Sequence, residues 1–380
     1  MKIADLLADT LTNRTTELLQ MKKEGHKIIG YTPGGFMPEE LVYACDALPV
    51  PVALFQGGRQ EAVGASEPYL PHWMDPFCKS QIGYWALQEN PLYQMIDLLI
   101  VPVTDNNVRA IADSWDFYTD IDVFRFGVPH SKTENGFNYY LEGIKLLKRK
   151  LEDLTRTKIS DSRLAEIITL CNTERDLLGR ISAMRKAEQP SINGRDFVEL
   201  NHASFLLDKE TMIQLLETVN ADLEYTQGPI PTESRILLTG STMALGDYKI
   251  YDLLAQENSS VVIEEFAEGM RHYWEQVNLS GDLMEALADR YFRRRIPPAW
   301  FRPSRERLDF IVELAKEYHV NGVIWYQLMY RDSYDIESYY FPRILHNETG
   351  LPMLKLASYY DNNEIGPFQN RIETFVEMIK

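Results

Sequence analysis

Residues 27–54 read KIIGYTPGGFMPEELVYACDALPVPVAL and combine two apolar runs with a glycine-rich loop and a helical pattern. The run at 27–31 predicts a strand that ends at Thr32-Pro33-Gly34-Gly35. A helix is predicted from Pro38, because proline suits the first helical turn. Apolar residues at helical spacing predict one buried face: Leu41, Ala44, Cys45 and Leu48. The run at 50–54 predicts the next strand, so the segment has the strand–helix–strand pattern of a parallel sheet.

The same alternation continues along the chain in two stretches. Helical patterns lie near 77–88 and 108–118. The predicted strands are short and apolar along their whole length, and they lie at 97–103, 122–127, 235–240, 261–264, 322–326 and 353–356. Such strands are typical of parallel sheets that are covered on both faces. Between the stretches, about 135–225 is helical, with one apolar stripe formed by Leu164, Ile167, Ile168, Cys171 and Leu178.

The sequence therefore predicts an α/β protein with two doubly wound parallel-sheet (flavodoxin-like) domains and a helical region between them. The predicted boundaries are 1–134 for the N-terminal α/β domain, 135–230 for the helical region and 231–380 for the C-terminal α/β domain. Because ligands of such sheets bind at the carboxyl ends of the strands, the loops there are the candidate site.

Net charge, apolar runs and cysteine spacing disfavour several classes of protein. The 380 residues carry a net charge of -17, which disfavours general binding of nucleic acid. No apolar run is long enough to span a bilayer, and the acidic first residues are unlike a signal peptide, so we expect a cytoplasmic protein. Three widely spaced cysteines exclude a disulfide scaffold and a CxxC zinc site.

Four strand-end loops carry polar or small residues. They are YTPGGFMPEE (31–40), VTDNNVR (103–109), GSTMALGD (240–247) and YQLMYRDSYDIE (326–337). Cys78 lies at the predicted start of a helix, where exposed amides are expected to lower the pKa of the thiol. The loop at 240–247 lacks the lysine of a P-loop, so nucleotide hydrolysis by this chain is not expected.

Several segments in the same order resemble the 2-hydroxyacyl-CoA dehydratase / benzoyl-CoA reductase family, and its small, beta-type subunits in particular. The matching segments are GYTPGGFMPEELVYACDALP (30–49), the helix of Cys78, PVTDNNVR (102–109), TGST (239–242), YRDSYDIE (330–337) and FQNRIETFVEM (368–378). They cover nearly the whole chain. The dehydratases and the reductases share this pattern, so the resemblance does not separate the two activities.

The resemblance implies a [4Fe–4S] cluster held by three cysteines in each cluster-bearing subunit. By position the first of these is Cys78. The second position is Asp105 and the third is Arg331 in this chain, so its own cluster site is degenerate. Carboxylate is a poor ligand for such clusters and guanidinium is none. Asp105 and Arg331 are interpreted as either an ion pair that fills the cluster position or catalytic groups, and Cys78 as either a buried structural thiol or a metal ligand.

The resemblance also implies partners and a reaction. A paralogous subunit would carry the cluster, and an ATP-hydrolysing activator would deliver one electron. In the dehydratases that electron forms a ketyl radical on the acyl-CoA thioester, and the hydroxyl then leaves. Two other hypotheses stay open: a homo-oligomeric enzyme that uses Cys78 in an unusual metal centre, and a binding or assembly subunit without redox chemistry.

The remaining candidate residues are polar groups near the loops. Glu40 is a candidate general base, although an acidic residue in a first helical turn is also explained by the helix dipole. Ser241 is a candidate catalytic residue, and Ser241 and Thr242 are candidates for binding a phosphate or a carbonyl; a helix-capping role is the alternative. Arg294 and Arg295, in the basic segment 290–307, are candidates for the phosphates of coenzyme A, and a solvated face is the alternative.

Overall fold

The computed structural model describes residues 3–52, 57–225 and 233–380, and within them the first sheet has four parallel strands. These strands are β1 (Ile28–Tyr31), β2 (Leu48–Pro51), β3 (Leu98–Val103) and β4 (Asp122–Gly127). Their order in the sheet is β2-β1-β3-β4. The chain therefore winds outward from β1 in one direction and returns to build β3 and β4 on the other side.

A second sheet repeats this arrangement. Its strands are β5 (Ser234–Gly240), β6 (Ser259–Glu265), β7 (Gly322–Leu328) and β8 (Met353–Ser358). All pairs are parallel and the order is β6-β5-β7-β8. The predicted fold class, two doubly wound parallel-sheet domains, is confirmed. The predicted boundaries at 134 and 230 stay a prediction.

Helices cover the sheets and fill the region between them. The helices of the first α/β stretch are α1 (Ile3–Lys23), α2 (Glu39–Ala44), α3 (Gln60–Ala65), α4 (Pro76–Leu87) and α5 (Asn106–Tyr118). The helices between the sheets are α6 (Glu134–Thr155), α7 (Asp161–Ala183), α8 (Gly194–Ala203) and α9 (Lys209–Tyr225). The helices of the second stretch are α10 (Lys249–Gln256), α11 (Leu283–Ala288), α12 (Glu306–Glu317), α13 (Asp332–Thr349) and α14 (Ile365–Ile379). None of these described helices has both the length and the apolar composition to cross a membrane.

One apolar core is shared by the two sheets. Leu99 and Val101 of β3 belong to the same buried cluster as Leu238 of β5 and Ile324 of β7. The opposite faces of both sheets are buried under helices. The predicted stripe of α7 is buried in these outer cores, with Leu178 in one and its other four residues in the other. Burial on both faces explains why the central strands are apolar along their whole length.

Two local predictions were wrong. Helix α2 ends at Ala44, so Leu48 is not on its buried face but begins β2; Asp46 adopts a left-handed conformation (φ 57°) that helices do not continue through. Residues 53–54 of the predicted second strand lie outside the described residues. Strand β4 is not fully buried: Asp122 and Arg125 are exposed because β4 is an edge of its sheet.

The sheet order determines where a ligand can bind. In each sheet the winding direction reverses beside the first strand, at β1 and β3 in one and at β5 and β7 in the other. The loops that leave such neighbouring strands in opposite directions open a crevice. These are the four loops that the sequence singles out.

Candidate functional site

A cleft lies where the four loops meet, and its space open to the centre of a water molecule is about 60 Å³. Each loop contributes to its wall: Pro33 and Gly34 after β1, Thr104 and Asp105 after β3, Ser241 and Thr242 after β5, and Arg331 and Tyr334 after β7. Aromatic side chains form much of the remaining wall, namely Phe36, Phe77, Trp300 and Phe301. The cleft thus joins the two sheets, as expected for a site built from two topological reversals.

Two helices point their amino-terminal ends at this cleft, and an aspartate caps each. Asp75 Oδ1 accepts hydrogen bonds from the amides of Phe77 (2.9 Å) and Cys78 (3.2 Å) at the start of α4. Asp105 Oδ1 accepts from the amides of Asn107 (2.9 Å) and Val108 (3.1 Å) at the start of α5. These caps satisfy exposed helix amides and fix the position of both carboxylates.

Arg331, just before α13, bridges the two caps. Its Nη1 atom lies 3.2 Å from Asp75 Oδ2, 3.3 Å from Asp105 Oδ2 and 3.9 Å from Cys78 Sγ. The structure therefore brings Cys78, Asp105 and Arg331 together, and the predicted ion pair between Asp105 and Arg331 is confirmed. Asp75, which the sequence analysis missed, completes this group of four residues, called here the Arg331 cluster.

The Arg331 cluster does not fit an iron–sulfur cluster. It offers one thiol, while the other two positions hold a carboxylate already bound to backbone amides and a guanidinium that cannot ligate iron. Cys45 and Cys171 do not compensate, because both are buried in the apolar core around α6 and α7. This chain therefore lacks the three thiolates that the family pattern requires.

The electrostatics of Cys78 differ from the prediction. Burial raises the pKa of the Cys78 thiol well above its ordinary value, and the carboxylates of Asp75 and Asp105 raise it further, against the effect of Arg331. The predicted lowering by free helix amides was wrong, because the side chain of Asp75 already satisfies the amides at the start of α4. A neutral, buried thiol is a poor nucleophile and a poor metal ligand.

Ser241 and Thr242 lie on the wall of the cleft, where the sequence predicts them. Ser241 Oγ accepts a hydrogen bond from the amide of Leu328 (2.9 Å), which ties the loop after β5 to the end of β7. Helix α10 begins later, at Lys249, so neither hydroxyl caps it. Gly240 precedes them at φ 142°, and a Cβ there would lie 1.6 Å from the carbonyl oxygen of Tyr326. Only glycine lets this loop approach β7 so closely.

Glu40 is fully buried and is not part of the cleft wall. Its carboxylate lies 2.7 Å from Arg175 Nη2 and accepts a hydrogen bond from the hydroxyl of Tyr291 at 2.8 Å. Burial alone would raise the pKa of Glu40, but Arg175 and Arg290 hold it below its ordinary value. The group stays ionised in a fixed network, and its role as a base stays a prediction.

Arg294 and Arg295 point to different surroundings. Arg294 is partly exposed and forms ion pairs with Asp289 and Glu275. Arg295 is buried and lines a second pocket next to the cleft. The alternative of one solvated face is wrong for part of the basic segment, because Arg290, Arg295 and Arg307 are all buried. Binding of coenzyme A phosphates by Arg294 and Arg295 stays a prediction.

The sequence analysis missed Glu268, which lines both pockets. Its Oε2 atom is buried and forms no hydrogen bond within the described part of the chain. Burial raises the pKa of Glu268 to about 7, against the attraction of Arg271, Arg295 and Arg331. Its position just after β6, at the carboxyl end of a strand, is the signal that identifies it.

Glu268→Gln is expected to weaken the pH dependence of stability. In the folded state the pKa of Glu268 is about 7, which lies above its pKa in the unfolded chain. At pH values between these two, only the folded state keeps the proton. The free energy of unfolding therefore falls as the pH rises through this range. Between about pH 5 and about pH 8, the free energy of unfolding of the variant should fall by about 2 kcal/mol less than that of the wild type. Urea unfolding at both pH values measures this, and identical losses in the two proteins would contradict the assignment.

Comparison with known proteins identifies the family of this chain. The family model described as 2-hydroxyglutaryl-CoA dehydratase, D-component, matches residues 35–379. The provisionally named dehydratase subunit YjiM of Escherichia coli (strain K12) is 24% identical over 95% of this chain and 94% of the relative. The (R)-phenyllactyl-CoA dehydratase beta subunit of Clostridium sporogenes is 22% identical over 94% and 93%, and a benzoyl-CoA reductase subunit of Thauera aromatica is 21% identical over 93% and 91%. The chain belongs to the 2-hydroxyglutaryl-CoA dehydratase D-component family.

Proposed function

We propose that this chain is the cluster-free subunit of a heteromeric enzyme that acts on acyl-CoA thioesters, and that the reaction is the dehydration of a 2-hydroxyacyl-CoA. The names of two relatives, and of the family model itself, support a dehydratase. A benzoyl-CoA reductase-type role is the second candidate, supported by the relative from Thauera aromatica.

The observation that carries the proposal is the Arg331 cluster. Where the family pattern places cysteines, this chain has a guanidinium held by two helix-capping aspartates. The described residues form a cleft at the ends of two parallel sheets but do not supply the three thiolates of the family pattern. One-electron chemistry is accordingly assigned to a paralogous subunit that bears a [4Fe–4S] cluster, charged by an ATP-dependent activator protein.

The residues of this chain are assigned to binding and positioning. The aromatic wall of the cleft excludes water from an acyl group, which favours reactions of a thioester carbonyl. Because Ser241 Oγ accepts from the amide of Leu328, its own hydrogen is available to donate to that carbonyl. Thr242 lies beside it. Glu40 acts at a distance in this proposal, by holding Arg175 and Tyr291 behind the loop after β1.

Iron and acid-labile sulfide per chain test the proposal. The protein is purified without oxygen, once alone and once with a candidate paralogue that retains the three cysteines. We expect no iron in the single chain and about four irons in the pair. About four irons in the single chain would contradict a cluster-free role, whereas a pair that holds iron but never dehydrates an acyl-CoA after activation would favour the reductase or an assembly role.

A further inference from the structure

A second pocket lies directly behind the cleft and is called here the inner pocket. Its space open to the centre of a water molecule is about 30 Å³, and it shares Pro33, Gly34, Ala267 and Glu268 with the wall of the cleft. Two arginines, Arg290 and Arg295, contribute to its lining. The inner pocket is therefore an immediate neighbour of the cleft, and both guanidinium groups belong to its lining.

The hydrogen bonds of the two guanidinium groups go to backbone carbonyls, which are neutral acceptors. Arg290 donates to the carbonyls of Glu275 (3.0 Å) and His272 (2.6 Å). Arg295 donates to the carbonyls of Arg271 (3.3 Å) and Gly34 (3.1 Å), and its Nε atom is buried with no acceptor. Neither arginine forms an ion pair with a carboxylate in the ranges that the structure describes. A guanidinium has five donors, so each keeps several free.

Glu40, which pairs with Arg175, also attracts Arg290, but the two acidic residues of the pocket wall do not neutralise Arg295. Glu39, on the pocket wall, lies 3.0 Å from Lys209 Nζ, which already provides its counter-charge. Glu268 is the other acidic residue of the wall, and it is protonated in part near neutral pH. Burial, together with the positive charges of Arg290 and Arg271, lowers the pKa of Arg295 to about 9. Buried charge without a partner is costly, so this pocket favours an anion.

The backbone is shaped to keep Arg295 in place. Gly35 adopts φ 74°, and a Cβ on it would lie 2.0 Å from Arg295 Nη2. Gly35 thus lets the guanidinium lie against the loop after β1, with its central carbon 5.2 Å from the centre of the Phe36 ring. A fixed guanidinium binds a planar oxyanion at little cost in side-chain entropy.

We propose that the inner pocket binds the oxyanion end of the ligand through Arg290 and Arg295, and that this end is a carboxylate on the acyl group. The assignment to an acyl group rests on the proposed function, whereas the anion site does not. A phosphate of coenzyme A offers similar chemistry. The carboxylate is favoured because the pocket is small and adjoins the cleft that would hold the acyl chain.

Calorimetric titration of the purified full-length single chain tests the site. The probes are succinate, its neutral analogue succinamide, and inorganic phosphate. We expect saturable binding of succinate but not of succinamide, and a loss of about tenfold or more in affinity for Arg295→Gln. Arg293→Gln is the matched control, since Arg293 is a partly exposed neighbour paired with Glu134, and it should bind as the wild type does.

The other outcomes of the titration overturn the proposal or assign the pocket to a different ligand. Equal binding of succinate and succinamide, or no binding of succinate, would overturn the proposal. Binding of phosphate without succinate would assign the pocket to coenzyme A instead. If Arg295→Gln does not fold, the proposal is still tested by Arg290→Gln and by the comparison of succinate with succinamide on the wild-type chain. Because the titration needs neither iron nor a partner, its failure is distinguishable from failure of the proposed function.

Discussion

Arg331→Met is expected to lower the free energy of unfolding by about 3 kcal/mol. Methionine keeps much of the side-chain volume but removes the charge that lies 3.2 Å from Asp75 Oδ2 and 3.3 Å from Asp105 Oδ2. Asp75 is only 1% exposed, so its carboxylate would be left buried and without a cation. Removing one partner of a buried ion pair costs more free energy than the intact pair contributes, because the remaining charge cannot reach water.

The effect should depend on pH. Burial raises the pKa of Asp75 above its ordinary value even with Arg331 present, and without Arg331 it rises further. The folded variant then takes up a proton at a higher pH than the unfolded chain, which favours folding on the acidic side. The stability lost by Arg331→Met should therefore shrink as the pH falls.

Urea unfolding of three variants beside the wild type measures this effect. Arg331→Lys keeps a charge near Asp75 and should recover part of the loss. Arg125→Met is the matched control, because Arg125 pairs with Asp113 and Asp116 on the surface, and its loss should stay below about 1 kcal/mol. Equal urea midpoints for Arg331→Met and Arg125→Met would show that the buried ion pair stabilises the fold no more than the surface pair does.

The fold was predictable because its signals are local. Each central strand is buried on both faces, and such strands show in the sequence as short apolar runs between helical patterns. Ligands of parallel sheets bind at the carboxyl ends of the strands, which indicated four loops, and these loops meet at one cleft. The helix at Pro38 was predicted too long, because its end depends on the left-handed conformation of Asp46, which an aspartate adopts only in some contexts.

The electrostatics of the site were less predictable because they depend on contacts between distant segments. The pKa of Cys78 is set by its own burial and by Asp75, Asp105 and Arg331, and Arg331 is 253 residues away along the chain. Arg295 is buried against the loop after β1, and Arg290 against the carbonyls of His272 and Glu275. A run of arginines in an acidic protein gives no sign of which ones face inward.

Asp105→Cys combined with Arg331→Cys is expected to give this chain a cluster site. The two changes restore the three-cysteine pattern around Cys78 and remove the guanidinium that contacts both of the other positions. After anaerobic reconstitution, the single chain should hold about four irons, with visible absorbance that bleaches on reduction. The wild type, treated in the same way, should hold none.

Asp105→Cys alone is the matched control for that variant. It supplies a second thiol but leaves Arg331 in the position of the third, so its iron content should stay close to that of the wild type. If the double variant folds and remains free of iron, the three positions do not form a cluster site, and the positional match to the family's cysteines is wrong. If the double variant binds iron and the wild type does not, the residues at 105 and 331 are sufficient to explain the difference. The guanidinium of Arg331 then fills that position between the starts of α4 and α5, where Asp75 and Asp105 hold it.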